Sequence, residues 1–91
     1  MSTSTPSFED VKGYNTNQLI DYLRSYLQEN NLILKDSEIQ NIRDEEINGY
    51  VFLDLTEELL QRLGFSMGKR VALIKLIKNL NSKSKFYHKI V

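Results

Sequence analysis

The sequence predicts an all-α domain, compact and built on one core, closed by a long C-terminal helix. Three observations carry that expectation. Apolar residues recur at helical spacing in two stretches, Leu19, Ile20, Leu23, Tyr26 and Leu27, then Val71, Leu73, Ile74, Ile77 and Leu80. Between them, residues 56–70 carry the signals of two helices meeting at a corner: Thr56 as a cap, Glu57 and Glu58 in a first turn, Gly64 as a left-handed stop, and Ser66 as the next cap. The one run rich in β-branched and aromatic residues, Tyr50-Val51-Phe52-Leu53-Asp54-Leu55, has no second strand to pair with. A lone strand leaves its backbone groups unsatisfied, so a short helix is expected there.

Ninety-one residues suffice for one core and not for two. Residues 1–12, rich in Ser and Thr with Pro6 among them, show no periodicity and read as a disordered arm that contributes little, with Phe8 and Val11 at most on the domain's edge. Thr16 then caps a first helix over about 17–29, which Asn30-Asn31 stops. Leu32, Ile33 and Leu34 form an apolar linker that a small domain would bury. Asp36 or Ser37 caps a second helix through Arg43, with Ile39 and Ile42 inward. Ile47-Asn48-Gly49 makes a turn, and short helices follow over 50–55 and 56–63. The last helix runs from Met67 to Leu80 or Asn81. The expected core is Leu19, Leu23, Ile39, Ile42, Phe52, Leu53, Leu59, Leu63, Phe65, Leu73, Ile77 and Leu80. The domain is thus expected over 13–81, and residues 82–91 read as a basic, aromatic tail that either extends the last helix or leads out of the domain.

Composition excludes several classes of function. The chain has no cysteine, hence no disulfide framework and no thiolate metal site. Its first residues lack the basic and apolar regions of a signal peptide, and no apolar run approaches the roughly 18 residues of a membrane span. An intracellular setting, cytoplasmic or nuclear, is expected, with no membrane partner. His88 is the only histidine and has no companion ligand nearby in the sequence. Ser66 has no histidine to activate it, and capping explains it better than nucleophilic attack. Gly64 and Gly68 lack the spacing and the Lys-Ser/Thr pair of a phosphate loop. Asp44-Glu45-Glu46 lacks the alternating ligands of a calcium loop. No enzymatic activity, cofactor or small-molecule substrate is expected.

Formal charge balances to zero but is segregated along the chain. Between Asp36 and Glu58 stand eight acids (Asp36, Glu38, Asp44, Glu45, Glu46, Asp54, Glu57, Glu58) and one base, Arg43, for a net −7. From Arg62 to Val91 there are eight bases and no acid, for a net +8. Such asymmetry bears on partners and self-association. Lys69 and Arg70 fall in the first turn of the last helix, where the dipole disfavours cations by about 0.3 to 1 kcal/mol each. Something must compensate them, and an anion docking there, a phosphate or a partner's carboxylate, is one answer. Glu57 and Glu58 complement a helix dipole, whereas Asp44, Glu45 and Glu46 crowd the end of a helix, where anions are disfavoured.

The block Ile47-Asn48-Gly49-Tyr50-Val51-Phe52-Leu53-Asp54-Leu55-Thr56-Glu57-Glu58-Leu59, followed by Leu63-Gly64-Phe65, Gly68-Lys69-Arg70 and a leucine-rich helix, resembles the sterile alpha motif (SAM) domain over about residues 14–81. Tyr14 stands where many members carry tryptophan, Asn48 replaces the usual acid of the turn, and the connection from Gly64 to Gly68 is one residue shorter than in many members. The resemblance implies a five-helix bundle that acts as a noncatalytic interaction module. It further implies contact between an acidic mid-domain surface, here Asp44, Glu45, Glu46, Asp54, Glu57 and Glu58, and the start of the last helix, here Met67, Gly68, Lys69 and Arg70. The partner would be a second copy or another SAM domain, and a heterologous contact of this kind can propagate head to tail. Some members bind hairpin RNA, for which Lys69, Arg70, Lys75 and Lys78, joined by Lys83, Lys85 and Lys89, would serve. The acidic surface and the neutral overall charge favour the protein partner.

Overall fold

The computed structural model describes residues 5–83, which fold into six helices: α1 (Phe8–Lys12), α2 (Thr16–Glu29), α3 (Asp36–Asp44), α4 (Gly49–Phe52), α5 (Glu57–Arg62) and α6 (Met67–Ser82). The five helices expected from the sequence are α2 to α6, and no strand occurs among the described residues. The tail from residue 84 lies outside them.

The additional helix corrects the reading of the N-terminal arm. Ser7 Oγ accepts the Asp10 amide at 3.1 Å while the Asp10 carboxylate accepts the Ser7 amide at 3.0 Å, a reciprocal box that satisfies two amides at the helix start. One turn and a half follows, which buries Val11 completely. A five-residue helix is too short to show periodicity, which is why composition alone made this segment look disordered. Its end is tied down as well, because the Tyr14 carbonyl accepts the Gly49 amide at the start of α4 at 3.0 Å.

Three helices end by one device. In α2, α3 and α5 the residue after the cap takes a left-handed conformation: Asn31 at φ 63°, Glu46 at φ 56° and Gly64 at φ 92°. The next amide reaches back to close the helix, Leu32 to the Leu27 carbonyl at 2.8 Å, Ile47 to Ile42 at 3.0 Å and Phe65 to Leu60 at 3.3 Å. Apart from half-buried Leu32, the apolar partners brought together in this way are all buried, as a Schellman ending favours. The helix starts differ from expectation in three places. Lys35, rather than Asp36 or Ser37, stands at the cap of α3 and makes no side-chain capping bond. Asn15, rather than Thr16, caps α2, accepting the Gln18 amide at 2.8 Å. Ser66 precedes α6 without a side-chain capping bond. Thr56 does cap α5, accepting the Leu59 amide at 3.3 Å.

The core collects Leu19, Leu23, Ile42, Phe52, Leu53, Leu63, Phe65, Leu73, Ile77 and Leu80 as expected, with Val11, Ile20, Leu27, Leu34, Ile47, Leu55, Leu60 and Leu76 added. Ile39 is only half-buried, and Leu59 is 39% exposed where Leu60 is fully buried. Leu59 and Leu60 lie four and three residues before Leu63, so helical spacing allows either beside it, and packing seats Leu60. Of the linker, Leu34 is buried and Ile33 is 71% exposed. Orphan carbonyls at helix ends are met from other helices, Leu63 by Asn41 Nδ2 at 2.8 Å and Leu53 by Asn81 Nδ2 at 3.1 Å. These bonds position α4 and α5, and with them the charged surface, against α3 and α6.

Candidate protein-binding surface

The two cations at the start of α6 are compensated inside the fold. Lys69 is 5% exposed and Glu38 is 2% exposed, and Lys69 Nζ donates to both Glu38 oxygens at 2.9 Å. Glu38 Oε1 also accepts the Lys35 amide at 2.8 Å, so the same carboxylate closes the start of α3 and holds the start of α6. Arg70 Nη1 donates to the Phe65 carbonyl at 2.8 Å, and its Nε faces the Glu57 carboxylate at 3.5 Å without a hydrogen bond. With its side chain 14% exposed, Arg70 is largely withdrawn from solvent. Lys69 and Arg70 therefore do not form the open anion-docking point that local sequence suggests; Met67, 69% exposed, and Gly68 remain accessible there.

The acids divide in the same way. Glu38 is consumed by Lys69, Glu57 by Arg70, and Glu58 meets Arg62 at 3.4 Å across one turn of α5. The Glu58 pair is exposed on both sides and contributes little. Part of the segregation along the chain is thus neutralised in space, because three acids of the middle segment answer bases of the last third. Left over on the acid side are Asp36, Asp44, Glu45, Glu46 and Asp54, all exposed and without an ion-pair partner among the described residues. Asp44 accepts a hydrogen bond from Gln40 at 2.8 Å. Glu45 borders a shallow hollow of about 300 Å³ lined by Ile47, Leu55, Leu59 and Leu63 with Arg62, so the acidic turn adjoins an apolar floor.

On the basic side, α6 presents a stripe of Met67, Val71, Lys75 and Lys78. Val71 is 49% exposed, and both lysines are exposed without an ion-pair partner among the described residues. Beside the stripe runs a groove of about 530 Å³ floored by Leu55, Ile74 and Ile77. Val71 and Leu59 escaped the sequence reading as surface residues because helical spacing assigns both to an apolar face. Glu38 escaped it because its partner lies 31 residues away.

Glu46 holds a conformation that costs a residue with a Cβ about 1–2 kcal/mol. Glu46→Gly is accordingly expected to stabilise the domain by about 0.5–1 kcal/mol in urea unfolding, the conformational gain being partly offset by glycine's freedom in the unfolded chain. Glu46→Gln, which removes the charge and keeps the geometry, should leave most of that gain unrealised.

No helix among the described residues is long and apolar enough to cross a membrane, and no three His, Cys, Asp or Glu side chains among them converge on a point that could hold a metal ion. Comparison with curated proteins and with solved structures gave no match. A family model described as a SAM-like domain matches residues 1–79, a span that includes α1 and all but the last residues of α6. An all-helical chain packed around one core and ending in a long last helix agrees with that match, and the chain belongs to the SAM-like domain family.

Proposed function

We propose that the domain joins another SAM domain, a second copy of this chain or that of another protein, by seating its acidic turn on the exposed α6 stripe of the partner. One observation carries the reading: after internal pairing, the unanswered charge includes an acidic turn at residues 44–46, beside exposed Leu59, and the lysines of the Met67-Val71-Lys75-Lys78 stripe. Each patch couples charge of one sign to accessible apolar surface. Charge complementarity steers such an encounter, and the apolar neighbours supply area that excludes water. Membership in a family generally used for protein interaction supports a noncatalytic role. Asp54, exposed and unpaired among the described residues, is assigned to the acidic surface as well, whereas Glu57 and Glu58 are already paired and contribute less to it. The RNA reading loses ground, since Lys69 and Arg70, two of the four α6 cations it relied on, are committed within the fold.

Sedimentation tests this reading. The wild type should associate at low salt and dissociate toward 1 M, where the Debye length falls to about 3 Å. Glu45→Lys with Glu46→Lys should weaken association about tenfold or more, and so should Lys75→Glu with Lys78→Glu, while an equimolar mixture of the two variants recovers a 1:1 complex through its intact pair of surfaces. Lys69→Glu is not a usable probe, because it introduces repulsion into the core. A wild type that stays monomeric at high concentration and low salt, and also fails to bind other SAM domains, would sink the proposal. Hairpin RNA binding abolished by Lys75→Glu with Lys78→Glu would move the function to nucleic acid.

A further inference from the structure

A groove of about 730 Å³ runs between the segment Thr5-Pro6, the outer face of α2, and Leu76 and Asn79 of α6, and it shares no lining residue with the two patches above. Its floor is aromatic. Tyr14, Tyr22 and Tyr26 line it, with the Tyr14 and Tyr22 rings edge to face at 5.7 Å. Tyr26 is held by its hydroxyl, which donates to the Ala72 carbonyl of α6 at 3.0 Å. The Tyr14 and Tyr22 hydroxyls have no hydrogen-bond partner within the described residues. Burial first, and then the neighbouring Tyr14, Tyr26 and Glu29, push the Tyr22 hydroxyl up to about 12, so it remains a neutral donor at any physiological pH.

Two further features define what fits. The charged residues on the groove are acids only, Asp21 and Glu29, with no Lys or Arg in the lining. Arg24 touches Asp21 at 3.4 Å, an exposed pair that neutralises little, and Glu29 has no ion-pair partner among the described residues. One wall of the groove is the chain's own Thr5-Pro6, with Pro6 half-buried and Ser7 extended at φ −86° and ψ 173°. The groove therefore already has a proline-bearing segment of the chain along its edge, and its tyrosines continue down α2.

We propose that this tyrosine groove binds an extended, proline-containing peptide that carries Lys or Arg. A polyproline II strand makes no internal hydrogen bonds, so its carbonyls are free to accept from the Tyr14 and Tyr22 hydroxyls. Its flat proline rings lie on tyrosine faces, and its preformed shape reduces the ordering cost that a flexible peptide would bear. Asp21 and Glu29 meet its cations. This site operates independently of the SAM–SAM contact, so either can fail without the other.

The test is an amide NMR titration of the full chain with a synthetic ten-residue peptide of repeated Pro-Pro-Arg, run beside the same peptide with alanine for every proline. Saturable shifts centred on Tyr14, Tyr22, Tyr26 and Glu29 are expected, with a dissociation constant on the order of 100 μM for a groove this small. Asp21→Lys with Glu29→Lys, both on exposed positions, should weaken binding about tenfold. Tyr22→Phe keeps the ring and the fold and should weaken it severalfold. The absence of saturable shifts at the tyrosines up to about 1 mM peptide, well above the expected constant, overturns the proposal. Equal affinity for the alanine peptide, undiminished binding by the charge-reversed variant, or shifts confined to the α6 stripe overturn it equally.

Discussion

Gly49→Ala is expected to destabilise the domain by more than about 3 kcal/mol, beyond ordinary overpacking, because the new methyl meets backbone. A Cβ on Gly49 would stand 1.7 Å from the Val11 carbonyl oxygen, 2.9 Å from its carbon and 3.1 Å from Tyr14 Cβ. That oxygen cannot retreat freely. It accepts the Tyr14 amide at 3.0 Å, and Val11 itself is fully buried, so moving it opens the core where α1 meets α4. Moving Gly49 instead breaks its own bond to the Tyr14 carbonyl. In a domain of this size the loss corresponds to a fall in Tm of more than about 12 °C in calorimetry. Gly68→Ala is the control, because nothing lies within 4 Å of its added Cβ and the position is helical. It should be neutral or stabilising by up to about 1 kcal/mol. A Gly49→Ala protein with the wild-type Tm would mean that α1 is not held against α4.

Lys69→Met alone, or Glu38→Leu alone, should cost about 3–5 kcal/mol, because either leaves an unpaired charge in the core. The double variant should recover most of that loss. A buried ion pair spends much of its attraction on desolvation, so a well-packed apolar pair of similar volume replaces it at little net cost. About 1 kcal/mol should remain missing, since Glu38 also accepts the Lys35 amide at the start of α3. Urea unfolding of the four proteins gives the coupling energy directly, and a value near zero would mean that the pair is solvated and the two ends of α3 and α6 are held by other contacts. The pair also fixes where the exposed stripe begins. With Lys69 anchored to α3, Met67 and Val71 are presented on the outer side of the same turns.

The helical class, the corner at Gly64, the Thr56 cap, most of the core and the resemblance to a SAM domain are legible in one dimension, because each rests on spacing of a few residues or on a motif. Period 3.6 and capping chemistry are local, and local signals can be read from one chain. α1 was missed because five residues carry no period, and its stability comes from Val11 meeting α4 across 38 residues of chain. Leu59 and Leu60 were exchanged because a six-residue helix leaves its phase to be set by packing. The charge segregation was legible, but its meaning was not. Glu58 and Arg62, four apart, could have been paired from spacing alone, whereas Glu38 with Lys69 and Glu57 with Arg70 come together only when α3, α5 and α6 pack. Coulomb attraction depends on distance in space, so a formal charge becomes available to a partner only after the fold has decided which charges it keeps for itself.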